Sequence, residues 1–180
     1  MLFRSPAESV KLLDDAATAL APTGYSWGPL AWMLLAQALG QLGRISDAGR
    51  ILAKAESRHG LKSMLFAPEL SLAKAWTSAA RHDGTGAIDA AREAARAAER
   101  GGQSAVALRA LLDSVRLGDT RAVDAIERLD VDCVVSQLAL DYARAQSRGD
   151  ATALNASAAA FSAIGMMGVA TDAAARAKLV

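Results

Sequence analysis

A short corner centred on glycine recurs along the chain and constrains its fold. The first copy, residues 42–48, reads LGRISDA and places Gly43 between two apolar runs. Glycine is costly inside a helix, but it readily adopts the left-handed conformation that ends one. Similar corners read HDGTGAI at 82–88, LGDTRAV at 117–123 and RGDATAL at 148–154. Each corner predicts a glycine that closes one helix and a polar cap that opens the next.

The spacing of these corners predicts a helical repeat. Gly43, Gly84, Gly118 and Gly149 recur at irregular intervals close to the period of about 34 residues that is typical of tetratricopeptide repeats. The first copy fits that pattern best, at Trp32, Leu35, Ala36, Leu39, Gly43, Ala48, Leu52 and Ala55. Small residues such as Ala36 and Ala48 let two helix axes approach closely. We therefore expect an all-α protein in which about ten helices form antiparallel hairpins, stacked as a tetratricopeptide-like α-solenoid.

Composition and punctuation agree with this class. Of the 180 residues, 52% are hydrophobic and only 4% aromatic, and no segment alternates apolar and polar residues as a strand does. Residues 5–8 (SPAE) predict the start of a first helix near residue 6, which Pro22 to Gly24 end, and a second helix starts near Pro29. We expect one helical-repeat domain over residues 1–180.

Charge argues against two classes of partner. Twenty Lys and Arg residues nearly balance nineteen Asp and Glu residues, for a net charge of +1. No overall field attracts a phosphate backbone or a membrane surface, so we expect no direct contact with nucleic acid or membrane. The apolar run 30–36 is too short to span a bilayer. The sequence therefore predicts a soluble, cytoplasmic chain.

From residue 72 onward, the order of motifs resembles the helical-repeat region of large actinobacterial LuxR-type transcriptional regulators, related in layout to MalT. The motifs are AW at 75–76, IDAAREAA at 88–95, GGQ at 101–103, AL at 107–108, VRLGD at 115–119, RGD at 148–150 and AFSAIG at 160–165. The resemblance implies a sensor segment between an ATPase module and a helix-turn-helix domain. Neither a Walker-type glycine loop nor a recognition helix occurs here, so ATP hydrolysis and DNA binding are not assigned to these residues. Because residues 176–180 end without a capping glycine or proline, we expect a fragment of a longer protein.

Residues that could carry chemistry are sparse. His59 and His82 lie near predicted helix ends and lack a second metal ligand at suitable spacing. Asp14 and Asp15 form an acidic pair, but no third acid follows on the next turn. Neither histidine lies in a local context typical of a catalytic triad. We therefore expect no metal, no cofactor and no enzyme activity; the alternative is a small helical enzyme with an unrecognised cofactor.

A stacked array would present the first helix of each hairpin on a concave surface. Projection back from each corner glycine places nine candidate binding residues there, with Ala143 beside the last: Met33, Gln37, Gln41, Lys74, Ser78, Arg81, Leu112, Arg116 and Gln146. Such a surface suits a protein or peptide partner, and a small effector is an alternative. The competing interpretation is that these positions pack internally. Charge reversal at Arg81 together with Arg116 is expected to weaken a partner and leave helical content intact.

The leading hypothesis is a noncatalytic regulatory domain that couples a bound protein, peptide or small effector to flanking modules. A standalone tetratricopeptide-like scaffold is the alternative among binding proteins. Terminal repeats expose apolar faces, which also allows a homodimer.

Overall fold

The computed structural model describes residues 6–180, with the side chains of residues 6–8 and 62 left aside. Over this range the chain forms ten α-helices, two 3-10 helices at Ala21–Thr23 and Leu61–Phe66, and no strand. The predicted all-α class and helix number are confirmed, and the first helix begins at Pro6 as expected. The cap predicted from Ser5 and Glu8 lies outside the described residues. The helices are α1 Pro6–Leu20, α2 Trp27–Gln41, α3 Ile45–Arg58, α4 Ala67–Ala80, α5 Gly84–Arg100, α6 Ser104–Arg116, α7 Val123–Arg128, α8 Val134–Arg148, α9 Ala151–Ala163 and α10 Met167–Ala177.

Six helices end in the same backbone turn. At the end of α2, the Gly43 N–H donates to the carbonyl oxygen of Gly40, and the Arg44 N–H donates to that of Leu39, both at 3.0 Å. This pair of bonds is the Schellman motif, in which a left-handed residue satisfies the last carbonyls of a helix. The left-handed residues that close α2, α4, α5, α6, α8 and α9 are Gly43, His82, Gly102, Gly118, Gly149 and Gly165.

The prediction that Gly84 closes a helix is wrong, because His82 performs that role. His82 has a φ of 62°, and the next N–H, that of Asp83, donates to the Ser78 carbonyl oxygen at 3.0 Å. Gly84 is instead the first residue of α5, whose cap is the Asp83 carboxylate, which accepts from the Gly86 N–H at 2.9 Å. The true corner therefore lies two residues earlier than the sequence pattern placed it.

Two hydrophobic cores share helix α4. The first lies between α2 and α3 and includes Met33, Leu39 and Ile51. The second extends from α4 to α10 and includes Tyr142 and Phe161. On α4, Ala73 belongs to the first core, whereas Leu72 and Ala75 belong to the second. This helix therefore joins the two halves of the molecule.

Helices α2 and α4 approach each other closely at a glycine. A Cβ atom built on Gly40 of α2 would lie 2.6 Å from the Trp76 carbonyl oxygen of α4, much closer than van der Waals contact. Ala36 and Ala48, the small residues singled out from the sequence, are fully buried. Small side chains thus permit this packing, and at Gly40 the approach leaves no room for a Cβ atom.

Helices next to each other in the chain mostly pack against each other, and some alternate helices do so too, namely α2 with α4, α4 with α6 and α6 with α8. Helix α2 packs on α1, α3 and α4, and α4 packs on α5, which contacts α6. Helix α10 packs on α9 and also touches α6. As a result, α2, α4, α6 and the start of α10 surround a common space, and we call these four the inner helices. None of the described helices is both long enough and apolar enough to cross a membrane.

Candidate ligand-binding site

A cavity of about 500 Å³ lies between α2, α4, α6, α10 and the 3-10 helix Leu61–Phe66. Pockets of this volume are typical of small-molecule sites. Its apolar walls are Leu30, Leu34, Leu65, Phe66, Val106, Leu112, Met166, Gly168 and Val169. Its polar residues are Gln37, Gln41, Glu69, Gln103, Arg109, Asp113 and Arg116. A few polar groups within apolar walls are the usual composition of a ligand site.

One end of the cavity is closed by Arg116. Its side chain is 10% exposed, and its Nε and Nη1 donate to Asp172 and Asp113 at 2.7 Å each. Its Nη2 donates to the Gln41 amide oxygen at 3.3 Å, and the guanidinium lies 4.5 Å from the centroid of the Trp76 ring. Burial alone would lower the pKa of Arg116, but attraction to Asp113 and Asp172 outweighs it and raises the pKa. One side chain therefore links α2, α4, α6 and α10.

The other polar group of the cavity joins Gln37, Glu69 and Arg109. The Glu69 side chain is 11% exposed, and its Oε2 accepts from Gln37 Nε2 at 3.0 Å and from Arg109 Nη2. Gln37 Nε2 also donates to the Glu69 carbonyl oxygen at 3.1 Å. Glu69 Oε1 and Arg109 Nη1 make no hydrogen bond with any described residue, and Arg109 Nε is buried without a partner. This end thus retains unused hydrogen-bonding capacity.

Gln103 links two segments that line the cavity. Its Nε2, at the start of α6, donates to the carbonyl oxygen of Leu65 at 3.2 Å. The next residue, Phe66, packs against Trp27 with ring centroids 5.6 Å apart. The 3-10 helix is therefore held against both α2 and α6, where it forms one wall.

Four of the nine candidate residues come together around this cavity. Gln37, Gln41, Leu112 and Arg116 all line it. These residues lie on α2 and α6, whose corner glycines the sequence placed correctly.

The other five candidates lie elsewhere. Met33 is fully buried in the first core, and Gln146 is buried in the second, where its Nε2 donates to the Val115 and Asp119 carbonyl oxygens at 2.9 and 3.1 Å. Ala143 is buried beside Gln146.

On α4, the three candidates turn away from the cavity. Lys74 is exposed and pairs with Glu56 of α3 at 3.2 Å. Ser78 is half-buried within the closing turn, and Arg81 is exposed, with its guanidinium beside Gly49 of α3. Lys74 and Arg81 therefore lie toward α3.

Glu69 and Arg109 were missed because the projection used too few positions on each helix, and the misplaced corner on α4 added to the error. Glu69 lies as many residues before His82 as Leu30 lies before Gly43, and both line the cavity. Likewise, Arg109 lies as far before Gly118 as Leu34 lies before Gly43. Projection from the left-handed residues, carried further toward the start of each helix, would have included both Glu69 and Arg109.

Burial changes what a charge reversal at Arg116 would do. A carboxylate at this position would lie among Asp113, Asp172 and the edge of Gln41 without a cation. We now expect that reversal to disrupt packing, since an unpaired buried charge is strongly destabilising. Binding at this cavity has to be tested at other residues.

No group of three or more His, Cys, Asp or Glu side chains in the described part of the chain is arranged to hold a metal ion. The Nδ1 of His59 lies 2.9 Å from the Ser63 hydroxyl. Asp15 pairs with Lys11 on the exposed face of α1. These groups have local partners of their own.

No family model matches the chain, and neither curated proteins nor solved structures provide a match. The geometry of the cavity is therefore the principal evidence on function.

Proposed function

We propose that the chain is a noncatalytic helical-repeat module that binds a ligand in the cavity between its inner helices. The observation that supports this most is Arg109, which lines the 500 Å³ cavity beside Glu69 and whose Nε is buried without a hydrogen-bond partner among the described residues. Buried polar atoms without partners are uncommon in native proteins and suggest an absent partner. Ligand binding would supply one.

The wider role proposed here is sensing within a cytoplasmic LuxR-type transcriptional regulator. Its support is the resemblance of the motifs from residue 72 onward, together with the turns that recur between the helices. In this proposal, an occupied cavity alters how α10 packs on α6, and the change is passed to flanking ATPase and DNA-binding modules. A protein or peptide partner would act through the same inner helices.

A glycine on α10 offers a direct test of the cavity. Gly168 lines it, and a Cβ atom built there would meet only Arg116 Nη2, at 3.6 Å, which is ordinary contact. Gly168→Phe should therefore fill the cavity without straining the backbone. Gly84→Phe is the matched control, because it also lies in the first turn of a helix and a Cβ there meets no atom within 4 Å.

The measurement is native mass spectrometry of each variant purified from its source cell, with the transcript profile of that cell. We expect the original chain and Gly84→Phe to retain the same bound molecule, and Gly168→Phe to lose it and change the transcripts. Retention of that molecule by Gly168→Phe, at the same occupancy, would contradict the proposal.

The coding sequence on either side of these residues distinguishes the regulator hypothesis from the hypothesis of a standalone scaffold. An ATPase-coding stretch upstream and a helix-turn-helix downstream support the regulator. A stop codon directly after Val180 supports the scaffold, and leaves the proposed cavity untouched.

A further inference from the structure

We infer that the cavity binds a neutral small molecule that joins a carboxamide group to an apolar body, with the carboxamide at Glu69 and Arg109. This inference rests on the proposed function, because it assigns a ligand class to the same cavity. It adds a chemical reason for preferring that class over acids and amines.

The charges that line the cavity favour a neutral ligand. Among its described residues, the cations Arg109 and Arg116 face the anions Glu69 and Asp113, and the two pairs are in contact. Asp172 adds a further negative charge at Arg116. At Glu69 and Arg109 the two charges compensate each other, so a charged headgroup placed there would lose its hydration without meeting an uncompensated opposite charge, which is costly.

The unused atoms favour a group that both donates and accepts. Glu69 and Arg109 are joined through Oε2 and Nη2, which leaves Oε1 of Glu69 and Nη1 of Arg109 without a hydrogen bond to a described residue. Oε1 is an acceptor and Nη1 a donor. A carboxamide presents an N–H and a carbonyl oxygen in one planar group and can satisfy both. A carboxylate has no donor for Oε1, and an ammonium has no acceptor for Nη1.

The rest of the wall suits an apolar body. Leu30 and Leu34 of α2 face the cavity together with Val106 of α6 and Val169 of α10. Burial of apolar surface contributes affinity roughly in proportion to its area. The ligand class is therefore amphipathic, with one polar end.

Three compounds that share the same alkyl chain length but differ in their headgroup test this preference: octanamide, octanoate and octylammonium. Their affinities for the complete chain are measured by isothermal titration calorimetry at pH 7. We expect octanamide to bind about tenfold more tightly than either ion, the equivalent of roughly one or two net hydrogen bonds. Equal affinities, a preference for an ion, or no binding of octanamide would overturn the inference.

A double substitution tests whether Glu69 and Arg109 create the preference. Glu69→Met with Arg109→Met removes both charges together, so that neither is left buried and unpaired. Octanamide affinity should fall about tenfold and its advantage over octanoate should disappear. The matched control is Glu93→Met with Arg96→Met, an ion pair on α5 whose side chains are 46% and 56% exposed, which should change neither value.

A milder variant keeps the test decisive if the double variant does not fold. Glu69→Gln preserves side-chain shape and an acceptor for Arg109 and Gln37, but removes the negative charge. Arg109 then has no carboxylate partner, so octanoate should gain affinity and equal or exceed octanamide. An unchanged preference for octanamide in Glu69→Gln would overturn the assignment of the carboxamide to this pair.

Gly168→Phe distinguishes failure of this inference from failure of the proposed function. If octanoate binds best and Gly168→Phe abolishes its binding, the cavity is a ligand site and the carboxamide inference is wrong. If a molecule retained from the source cell is insensitive to Gly168→Phe, the proposed site itself is wrong.

Discussion

Two arginines on α6 border the same cavity and differ in what they leave unused. Arg116 is 10% exposed, and its three guanidinium nitrogens all donate hydrogen bonds. Arg109 lies two turns earlier on the helix and is 32% exposed, with one bond to Glu69. The Arg116 end of the cavity is therefore saturated, whereas the Arg109 end is not.

The difference shows that an arginine lining a cavity is not evidence of binding by itself. Arg116 contacts α2, α4 and α10 as well as Asp113 on its own helix, so its main contribution is to hold the wall together. The polar bond that Arg109 makes with a described residue is to Glu69 of α4. Substitutions at the two ends should therefore affect different measurements: stability at Arg116 and ligand preference at Arg109.

The largest effect is expected at the saturated end. Arg116→Met removes the cation next to Asp113, whose side chain is only 9% exposed, and loses the contact with Trp76. Loss of one partner from a buried ion pair typically costs about 3 to 5 kcal/mol. Urea unfolding measures this free energy, with Arg96→Met as an exposed control. A cost for Arg116→Met below about 1 kcal/mol, the range of surface pairs, would remove the distinction between the two ends.

The next effect concerns the position of Trp76 beneath Arg116. Gly40→Ala places a methyl group 2.6 Å from the Trp76 carbonyl oxygen, so α2 and α4 must separate. Overpacking of this kind costs about 1 to 3 kcal/mol. Thermal and urea unfolding test it, and Gly84→Ala, where the new methyl meets no atom within 4 Å, should be neutral or stabilising. Equal stability of the two variants would contradict the close approach.

The corner after α6 also contains a buried charged side chain whose hydrogen bonds are satisfied, that of Asp119. Asp119 is 2% exposed and accepts from Arg92 Nε at 2.7 Å. Burial alone would raise the pKa of Asp119, but bonds from Arg92 and the Arg121 N–H outweigh it and hold the pKa below its usual value. Stabilisation from Asp119 is thus present above the unfolded pKa of about 3.9 and is lost as pH falls through the lower folded pKa.

Asp119→Asn should accordingly cost about 1 to 2 kcal/mol at pH 7 and reduce the fall in stability under acid. Urea unfolding at pH 7 and pH 3 provides both values. Asp89→Asn is the control, because Asp89 faces the same Arg92 at 3.8 Å but is 67% exposed. If the two variants have the same pH dependence, the buried pair of Asp119 and Arg92 does not account for the loss of stability in acid.

The smallest effect is expected at His82, the left-handed residue that ends α4, the helix that carries Glu69. His82 occupies a left-handed conformation that costs a non-glycine residue roughly 1 to 2 kcal/mol. His82→Gly should raise the free energy of unfolding by about 0.5 to 1 kcal/mol, because greater freedom of the unfolded chain offsets part of the gain. Gly43→His should lower it. A destabilised His82→Gly variant would indicate that the imidazole has an unassigned contact.

The sequence predicted the helical class and most helix ends because both depend on local chemistry. Left-handed glycines such as Gly43, Gly118 and Gly149 end helices through backbone bonds within one turn. The exception, His82, lacks that signal, since nothing in its residue type requires a left-handed backbone. That one shift displaced every candidate on α4.

The cavity was less predictable because its contacts join distant parts of the chain. Periodicity placed Gln37 and Arg116 on the inner faces of their helices, but it does not determine which side chains meet them. The bonds from Gln37 to Glu69 and from Arg109 to Glu69 depend on the packing of α2, α4 and α6 together. The return of α10 to α6, which closes the space with Val169, has no local sequence signal.

Isotope-filtered NMR with octanamide and a methyl-labelled chain tests the central claim most directly, because it locates the ligand. We predict contacts from the octanamide chain to the methyl groups of Leu34, Val106 and Val169, which line the cavity. Leu61 is 93% exposed and is not among the residues that line the cavity. Contacts confined to Leu61, with none to the three cavity residues, would contradict the claim that the space between the inner helices is the binding site.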